Sequence, residues 1–131
     1  MVKIIHTQGK RKRSVARASL KAGKGKVRVN GTLLQSFSTK MLRLRIYEPL
    51  LLAPQAAKDL DIDLTVIGGG ISGQADACRL AIARALVQHS PALEKDFSDY
   101  DRLLLVADVR RREVRKPNDS KARAARQKSY R

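Results

Sequence analysis

The density of positive charge changes twice along this chain, and that restricts what it can fold into more than any single motif. Residues 1–28 carry 10 basic and no acidic side chains, residues 29–109 carry 8 basic and 10 acidic, and residues 110–131 carry 10 basic and 2 acidic. A near-neutral middle of ordinary composition can bury a core. The ends resist compaction, because a net charge of +16 repels itself unless a polyanion screens it. The 131 residues have the length of one modest domain. The layout is therefore a folded body with two basic grips. Nucleic acid is the fitting polyanion, with an anionic membrane surface second.

The same residues exclude several classes. A single cysteine, Cys78, cannot form an internal disulfide, and with His6 and His89 it cannot make a cysteine-rich zinc site. Apolar runs such as Leu103 to Ala107 fall far short of the roughly 18 residues of a spanning helix. The start, Met-Val-Lys-Ile-Ile-His, has no long apolar stretch before its basic run, so no secretory signal is expected and a cytoplasmic location follows.

The two grips differ in kind. The first 28 residues interleave charge with Val2, Ile4, Ile5, Val15, Ala16, Ala18, Leu20 and Val27 and can fold. Pro117 to Arg131 contains no Val, Ile, Leu, Phe or Met, so burial cannot offset its ordering entropy and it is expected to be disordered until a partner holds it. We divide the chain into a body, 1–109, and a basic tail, 110–131.

Within the body, Val2 to Gln8 and Val15 to Ala22 read as strands joined by a basic turn, Gly9 to Arg13. Lys26 to Val29 alternates, and Asn30-Gly31 before Thr32-Leu33-Leu34 predicts a tight hairpin whose two central residues take positive φ. A helix is expected from Lys40 to Tyr47 or beyond, capped by Ser38 or Thr39, its end blurred by Pro49 and Pro54. Asp61 to Ile67 reads as a strand, Gly68-Gly69-Gly70 ends it, and Ser72 to Gln88 predicts the central buried helix. Ser90-Pro91 suggests the cap of a short helix over Ala92 to Phe97. Arg102 to Ala107 fits strand or helix. The interleaving predicts an α+β fold: one mixed, four-stranded sheet packed by helices.

Candidate chemistry is sparse. Gly68-x-Gly70-x-x-Gly73 matches the dinucleotide-binding pattern, after a strand and opening a helix. No second strand follows promptly, however, and no acidic residue is placed to take a ribose hydroxyl, so neither nicotinamide nor flavin is expected. A tight strand-to-helix turn explains the glycines, and so does backbone N–H binding of an RNA phosphate. Cys78 lies on the apolar stripe of its helix, as a structural cysteine does. Asp59, Asp61 and Asp63 alternate and read as one solvated face. No nucleophile or metal context accompanies them, so no catalytic residue, metal or cofactor is expected.

Lys10, Arg11, Lys12 and Arg13, with Arg17 close behind, are five cations in eight positions without an acidic neighbour. Arg110, Arg111, Arg112, Arg115 and Lys116 repeat the pattern. Both read as phosphate-binding. The aromatics Phe37, Tyr47, Phe97, Tyr100 and Tyr130 are scattered, so there is no stacking platform for single strands. Many phosphate contacts with little base readout point to structured RNA read by shape. A DNA-binding nucleoid protein explains the charge but not the near-neutral middle, so DNA is not the expected partner.

Several blocks also resemble the small-ribosomal-subunit protein S-nine family. They are Gln8 to Ala18; Gly25 to Gly31; Gly68-Gly69-Gly70-x-Ser72-Gly73-Gln74-Ala75, continuing through Arg79 and Ile82 to Leu86; and Asp108-x-Arg110, Glu113, Lys116-Pro117, Lys121-Ala122-Arg123, Gln127, Ser129 and Arg131. The resemblance runs in order along nearly the whole chain. The ending Ser129-Tyr130-Arg131, with Lys116-Pro117 and the lack of an N-terminal extension, resembles the archaeal or eukaryotic type, the archaeal more closely. It implies a structural, non-enzymatic component that binds ribosomal RNA in the small-subunit head beside neighbouring ribosomal proteins. The implied contacts add Ser14, Ser72, Gly73, Gln74, Arg79, Lys121 and Arg123 to the basic runs and the glycines. It also implies a tail threading to the peptidyl-site tRNA, with Arg131 and Lys128 on the anticodon-stem backbone and Ser129 and Tyr130 beside them.

Overall fold

Alternation in the first thirty residues builds strands because every second side chain can enter a core. The computed structural model describes residues 3–118, 121–124, 127 and 129. β1 spans Ile5–Arg11 and β2 Ser14–Ala22. β2 buries Ser14, Ala16, Ala18 and Leu20 and turns Val15, Arg17, Ser19 and Lys21 to the other face. β1 begins and ends three residues later than the sequence suggested, so Lys10 and Arg11 belong to a strand and not to the turn. Only Lys12 and Arg13 form the turn.

β3, Val27–Val29, and β4, Thr32–Leu33, close around Asn30 and Gly31, both at positive φ (51° and 83°), as the hairpin motif requires. Asn30 does more than turn the chain. Its side chain donates to the Val66 carbonyl and accepts from the Val66 N–H, extending the β3 ladder by one residue. A 3-10 turn, Leu34–Ser36, leads to α1, Lys40–Leu52, which runs through Pro49 before α2, Pro54–Lys58. Pro54 sits at the first position of α2, where its missing N–H costs nothing.

β5, Leu60–Ile67, completes one sheet of order β1-β2-β5-β3-β4, antiparallel except for the parallel pair β3 and β5. The sheet is mixed, as expected, with five strands instead of four; the extra one is the two-residue β4. Asp59 precedes β5. Asp61 and Asp63 lie on the sheet's open face, each with partners: Asp61 accepts the Lys24 and Lys26 backbone N–H groups, and Asp63 pairs with Arg28 and Lys21. Among the described residues no group of acidic, His or Cys side chains is arranged to hold a metal.

α3, Ile71–His89, is the central helix, with nine residues buried, Cys78 and Leu86 among them. It is buried on two sides because it lies between β1–β2 and α1. Small residues make this possible. Thr7 Oγ1 donates to the Ala81 carbonyl at 2.8 Å, and a Cβ at Gly9 would overlap the Ala77 carbonyl oxygen. α4, Leu93–Tyr100, starts after Ala92 and not at the Ser90-Pro91 cap. The ambiguous Arg102 stretch forms a 3-10 turn, Arg102–Leu104, that buries Leu104. A helix follows α3 where a dinucleotide fold needs a strand. The tail expectation for Pro117 to Arg131 falls partly outside the described residues; those described there have no helix or strand. No helix among the described residues is long and apolar enough to cross a membrane.

Candidate nucleic-acid interface

Three segments far apart in sequence meet at one end of the sheet. The first is the tip of the β1–β2 hairpin. Arg11 pairs with Ser14, leaving a two-residue loop in which Lys12 takes φ 54° and Lys12 and Arg13 are exposed.

The second is the glycine turn from β5 to α3. Ser14, fully buried, donates its hydroxyl to the Gly68 carbonyl at 2.9 Å, and the Gln74 side-chain amide donates to the same oxygen at 3.1 Å. Gly68 and Gly69 have φ of 78° and 65°, a region that disfavours any side chain. A Cβ on Gly68 would lie 2.6 Å from the Arg13 carbonyl oxygen, and one on Gly73 would lie 3.0 Å from Ser14 Oγ. Close packing against the hairpin thus accounts for Gly68, Gly69 and Gly73. Gly70, just before α3, is different: a Cβ there would meet nothing within 4 Å. Ser72 is exposed one residue inside the helix.

The third segment is the root of the tail, and two arginines fix it. Arg84, from α3, donates to the Leu105 carbonyl at 3.1 Å and the Gln8 carbonyl at 2.9 Å, tying the root to β1. Arg11 donates to the Arg110 carbonyl at 3.2 Å and lies 3.6 Å from Asp108 and 3.8 Å from Asp76. Arg110 forks onto Asp108, with its closest contact at 2.7 Å. The hydrogen bonds from the Arg110 side chain and backbone, with Arg11 nearby, hold the Asp108 carboxyl far below the usual range.

From that root the chain runs past the hairpin tip and encloses a cleft of about 960 Å³, lined by Lys12, Arg13, Gly69, Gly70 and the stretch from Arg110 to Arg115. Its single acidic residue, Glu113, is taken by Arg123 at 2.6 Å, and its carboxyl is lowered by that bond. Among the described residues Lys12, Arg13, Arg111, Arg112 and Arg115 have no acidic partner.

Other expected contacts sit elsewhere. Lys10 and Arg17 are exposed on the open face of the sheet, and Lys116 and Lys121 are exposed beyond the cleft. Arg79 is mostly buried and bridges α1 to the start of the last 3-10 turn, bonding Glu48 at 2.7 Å and Asp101 at 3.1 Å. Its hydrogen bond, added to one from the Leu103 backbone, lowers the Asp101 pKa. Ser14, Arg11 and Arg79 thus have their polar groups engaged inside the body. Ser129 is exposed, and Lys128, Tyr130 and Arg131 lie outside the described residues. Sequence reading missed Arg84 as an anchor. The signal was a lone arginine inside Ile82 to Leu86, a stretch otherwise wholly apolar, where such a group needs a buried partner.

Comparison with known proteins supplies the context. Residues 9–131 match the family model described as ribosomal protein S9/S16. The small ribosomal subunit protein uS9 of Methanococcus maripaludis is 45% identical, covering 99% of this chain and 100% of its own length. Its counterpart in Thermoplasma acidophilum is 52% identical over 95% of this chain and 98% of its own length. That of Methanothrix thermoacetophila is 41% identical over 99% and 100%. All three are archaeal, and their name is that of a ribosome component and not of an enzyme. With the family model matched from the first basic strand to the last residue, and relatives aligned end to end, this chain belongs to the ribosomal protein S9/S16 family of the small ribosomal subunit.

Proposed function

We propose that the cleft between the hairpin tip, the glycine turn and the tail root holds the phosphate backbone of ribosomal RNA in the small-subunit head. One observation carries this reading. Five cations without acidic partners among the described residues, drawn from positions 12–13 and 111–115, face one cleft beside a glycine whose Cβ position is open. Arginine forks suit phosphate oxygens, and a backbone free of side chains lets a phosphate come close. Lys10, Arg17, Lys116 and Lys121 extend the positive surface around it. Arg11, Arg79 and Ser14 support it from within, by holding the elements that carry the contacts.

The tail continues this reading. Lys128, Ser129, Tyr130 and Arg131 would contact the peptidyl-site tRNA backbone, where sequence-blind contact suits a site used by every tRNA. Ordering entropy is then met on assembly and not on folding. Cross-linking the protein to nucleic acid in cells and sequencing the attached fragments, DNA and RNA alike, tests both parts. Reads concentrated on small-subunit ribosomal RNA are expected, with tRNA reads lost when Lys128 to Arg131 are deleted. Reads scattered over genomic DNA would overturn the first part. A truncated protein that no longer assembles would overturn the second, making the tail tip a structural anchor.

A further inference from the structure

At the other end of β2 and β5 from the hairpin tip, roughly 26–30 Å away along nine residues of strand, a second groove opens. It has a volume of about 620 Å³ and lies between the turn before β3, the end of β4, α1 and α2. Leu34 and Leu50 form its buried floor, with Tyr47 beside them. Leu33 and Leu51 stand up from it, 47% and 69% exposed. Leu51 shares a face of α1 with Leu44 and Met41, which are 50% and 80% exposed, with Glu48, bonded to Arg79, between them. Lys24, Lys26 and Lys58 rim the groove, and no acidic residue lines it. The nearby Asp61 carboxylate accepts the backbone N–H groups of Lys24 and Lys26 and offsets part of the Lys26 charge without forming an ion pair with either lysine.

Leucines so exposed beside one groove, Leu33 and Leu51, mark an interaction surface. The chemistry of the groove selects the occupant. The phosphate cleft offers five arginines; this groove offers buried leucines, three lysines and no arginine, so it lacks the guanidinium forks that suit phosphate oxygens. A second copy of a chain of net charge +16, or its own basic tail, would bring more positive charge to three lysines. The complementary ligand carries apolar anchors flanked by carboxylates. Accepting that the chain is built into the small-subunit head, we propose that this groove docks an acidic, apolar-anchored segment of a neighbouring protein of the subunit.

The test places the photo-crosslinking residue p-benzoylphenylalanine at Leu51 of the full chain, in purified small subunits, with a second sample carrying it at Arg112. The expected result at Leu51 is an adduct to a protein segment with Asp or Glu within a few residues of the attachment point. Replacing Lys24, Lys26 and Lys58 together by Glu should cut that yield at least tenfold while the amount of this chain in the subunit stays the same. Should the triple variant not incorporate, Lys58→Glu alone must cut the yield at least threefold. Adducts to ribosomal RNA, to a second copy or to the tail would overturn the proposal, and so would no adduct at all. The Arg112 sample separates the two readings. If it captures ribosomal RNA while Leu51 captures nothing, only the groove proposal fails; if Arg112 captures no RNA, the phosphate-cleft reading fails.

Discussion

Arg11 and Lys12 are adjacent, carry the same charge and sit in the same basic run, yet the structure gives them opposite surroundings. Lys12 is exposed at the cleft, whereas the Arg11 side chain is 15% exposed and lies between Asp76, Asp108 and the Arg110 carbonyl. The salt dependence of RNA binding separates them, because each phosphate contact adds about 0.7–0.9 to the slope of log affinity against log salt. Lys12→Gln should lower the slope by about that amount, and Arg11→Gln should leave it unchanged. Replacing Arg111, Arg112 and Arg115 together by Gln should lower it by roughly 2–3. With five contacts the affinity falls about 100- to 500-fold between 50 and 200 mM salt by the same arithmetic; with two it falls only about 7- to 12-fold. Fluorescence anisotropy on a transcript of the subunit-head ribosomal RNA, titrated at four or five salt concentrations, measures this. The complementary readout is thermal stability. Arg11→Gln leaves Asp76 to Arg45 and Asp108 to Arg110 but removes a mostly buried guanidinium and its bond to the Arg110 carbonyl, and should cost about 1 kcal/mol, roughly 3–6 °C in Tm, while Lys12→Gln should cost almost nothing. An Arg11→Gln slope reduced as much as that of Lys12→Gln would refute the division of the basic run into contacts and supports.

Three more outcomes follow from the packing. Gly9→Ala drives a methyl into the Ala77 carbonyl and should cost about 1–3 kcal/mol by urea unfolding, though glycine and alanine differ by one carbon. Burial pushes the Cys78 thiol up to about 12, so native protein should resist thiol reagents at pH 8 and label only at the rate of unfolding, which a stopped labelling series reads directly. The Asp61 carboxyl is lowered from 3.8 by the backbone N–H groups of Lys26 and Lys24. A depressed folded pKa makes its contribution complete above the unfolded value and lost as pH falls through the folded one. The urea midpoint should therefore drop less steeply below pH 4 in Asp61→Asn than in the parent.

The segments legible in the sequence were those whose local chemistry and tertiary role agree. Asn30-Gly31 specifies a hairpin by backbone geometry alone, and the Ala-rich run from Ser72 specifies a helix that a small cross-section then allows between sheet and α1. Boundaries failed where tertiary pairing overrode local signals. Lys10 and Arg11 read as turn residues but extend β1, because Val15 and Ser14 on the neighbouring strand supply partners for both. Ser90-Pro91 has the composition of a helix start, yet the chain turns there and α4 begins later. The candidate site was half legible. A basic run announces phosphate binding, but which of its members point outward depends on carboxylates 65 to 97 positions away, Asp76 and Asp108 for Arg11, and no local pattern records that pairing. The glycines were legible as special backbone and ambiguous as to why. Three of them are explained by the approach of the hairpin, a contact across more than fifty residues.

The near-neutral middle of the chain is more than a scaffold for two charged ends, because its carboxylates decide which cations remain available. Glu48 and Asp101 hold Arg79, Asp76 holds Arg45 and Arg11, Asp108 holds Arg11 and Arg110, and Asp63 holds Arg28 and Lys21. Each pairing removes positive charge from the core or from the sheet's open face. Among the described residues, five of the cations left without an acidic partner gather at the hairpin tip and on the stretch after Arg110, and the others, such as Lys10, Arg17, Lys24, Lys26 and Lys58, are spread over the rest of the surface. This distribution also reconciles a net charge of +16 with a folded body. Like charges that sit at an edge, on a strand tip and an extended segment, repel one another across solvent, where a Debye length near 8 Å weakens the effect at physiological salt. The same charges inside the body would raise its energy directly. Pairing inside and exposure at one edge therefore reduce the repulsion that the folded body must bear. In the reading proposed above, a phosphate backbone would meet the remaining charge on assembly.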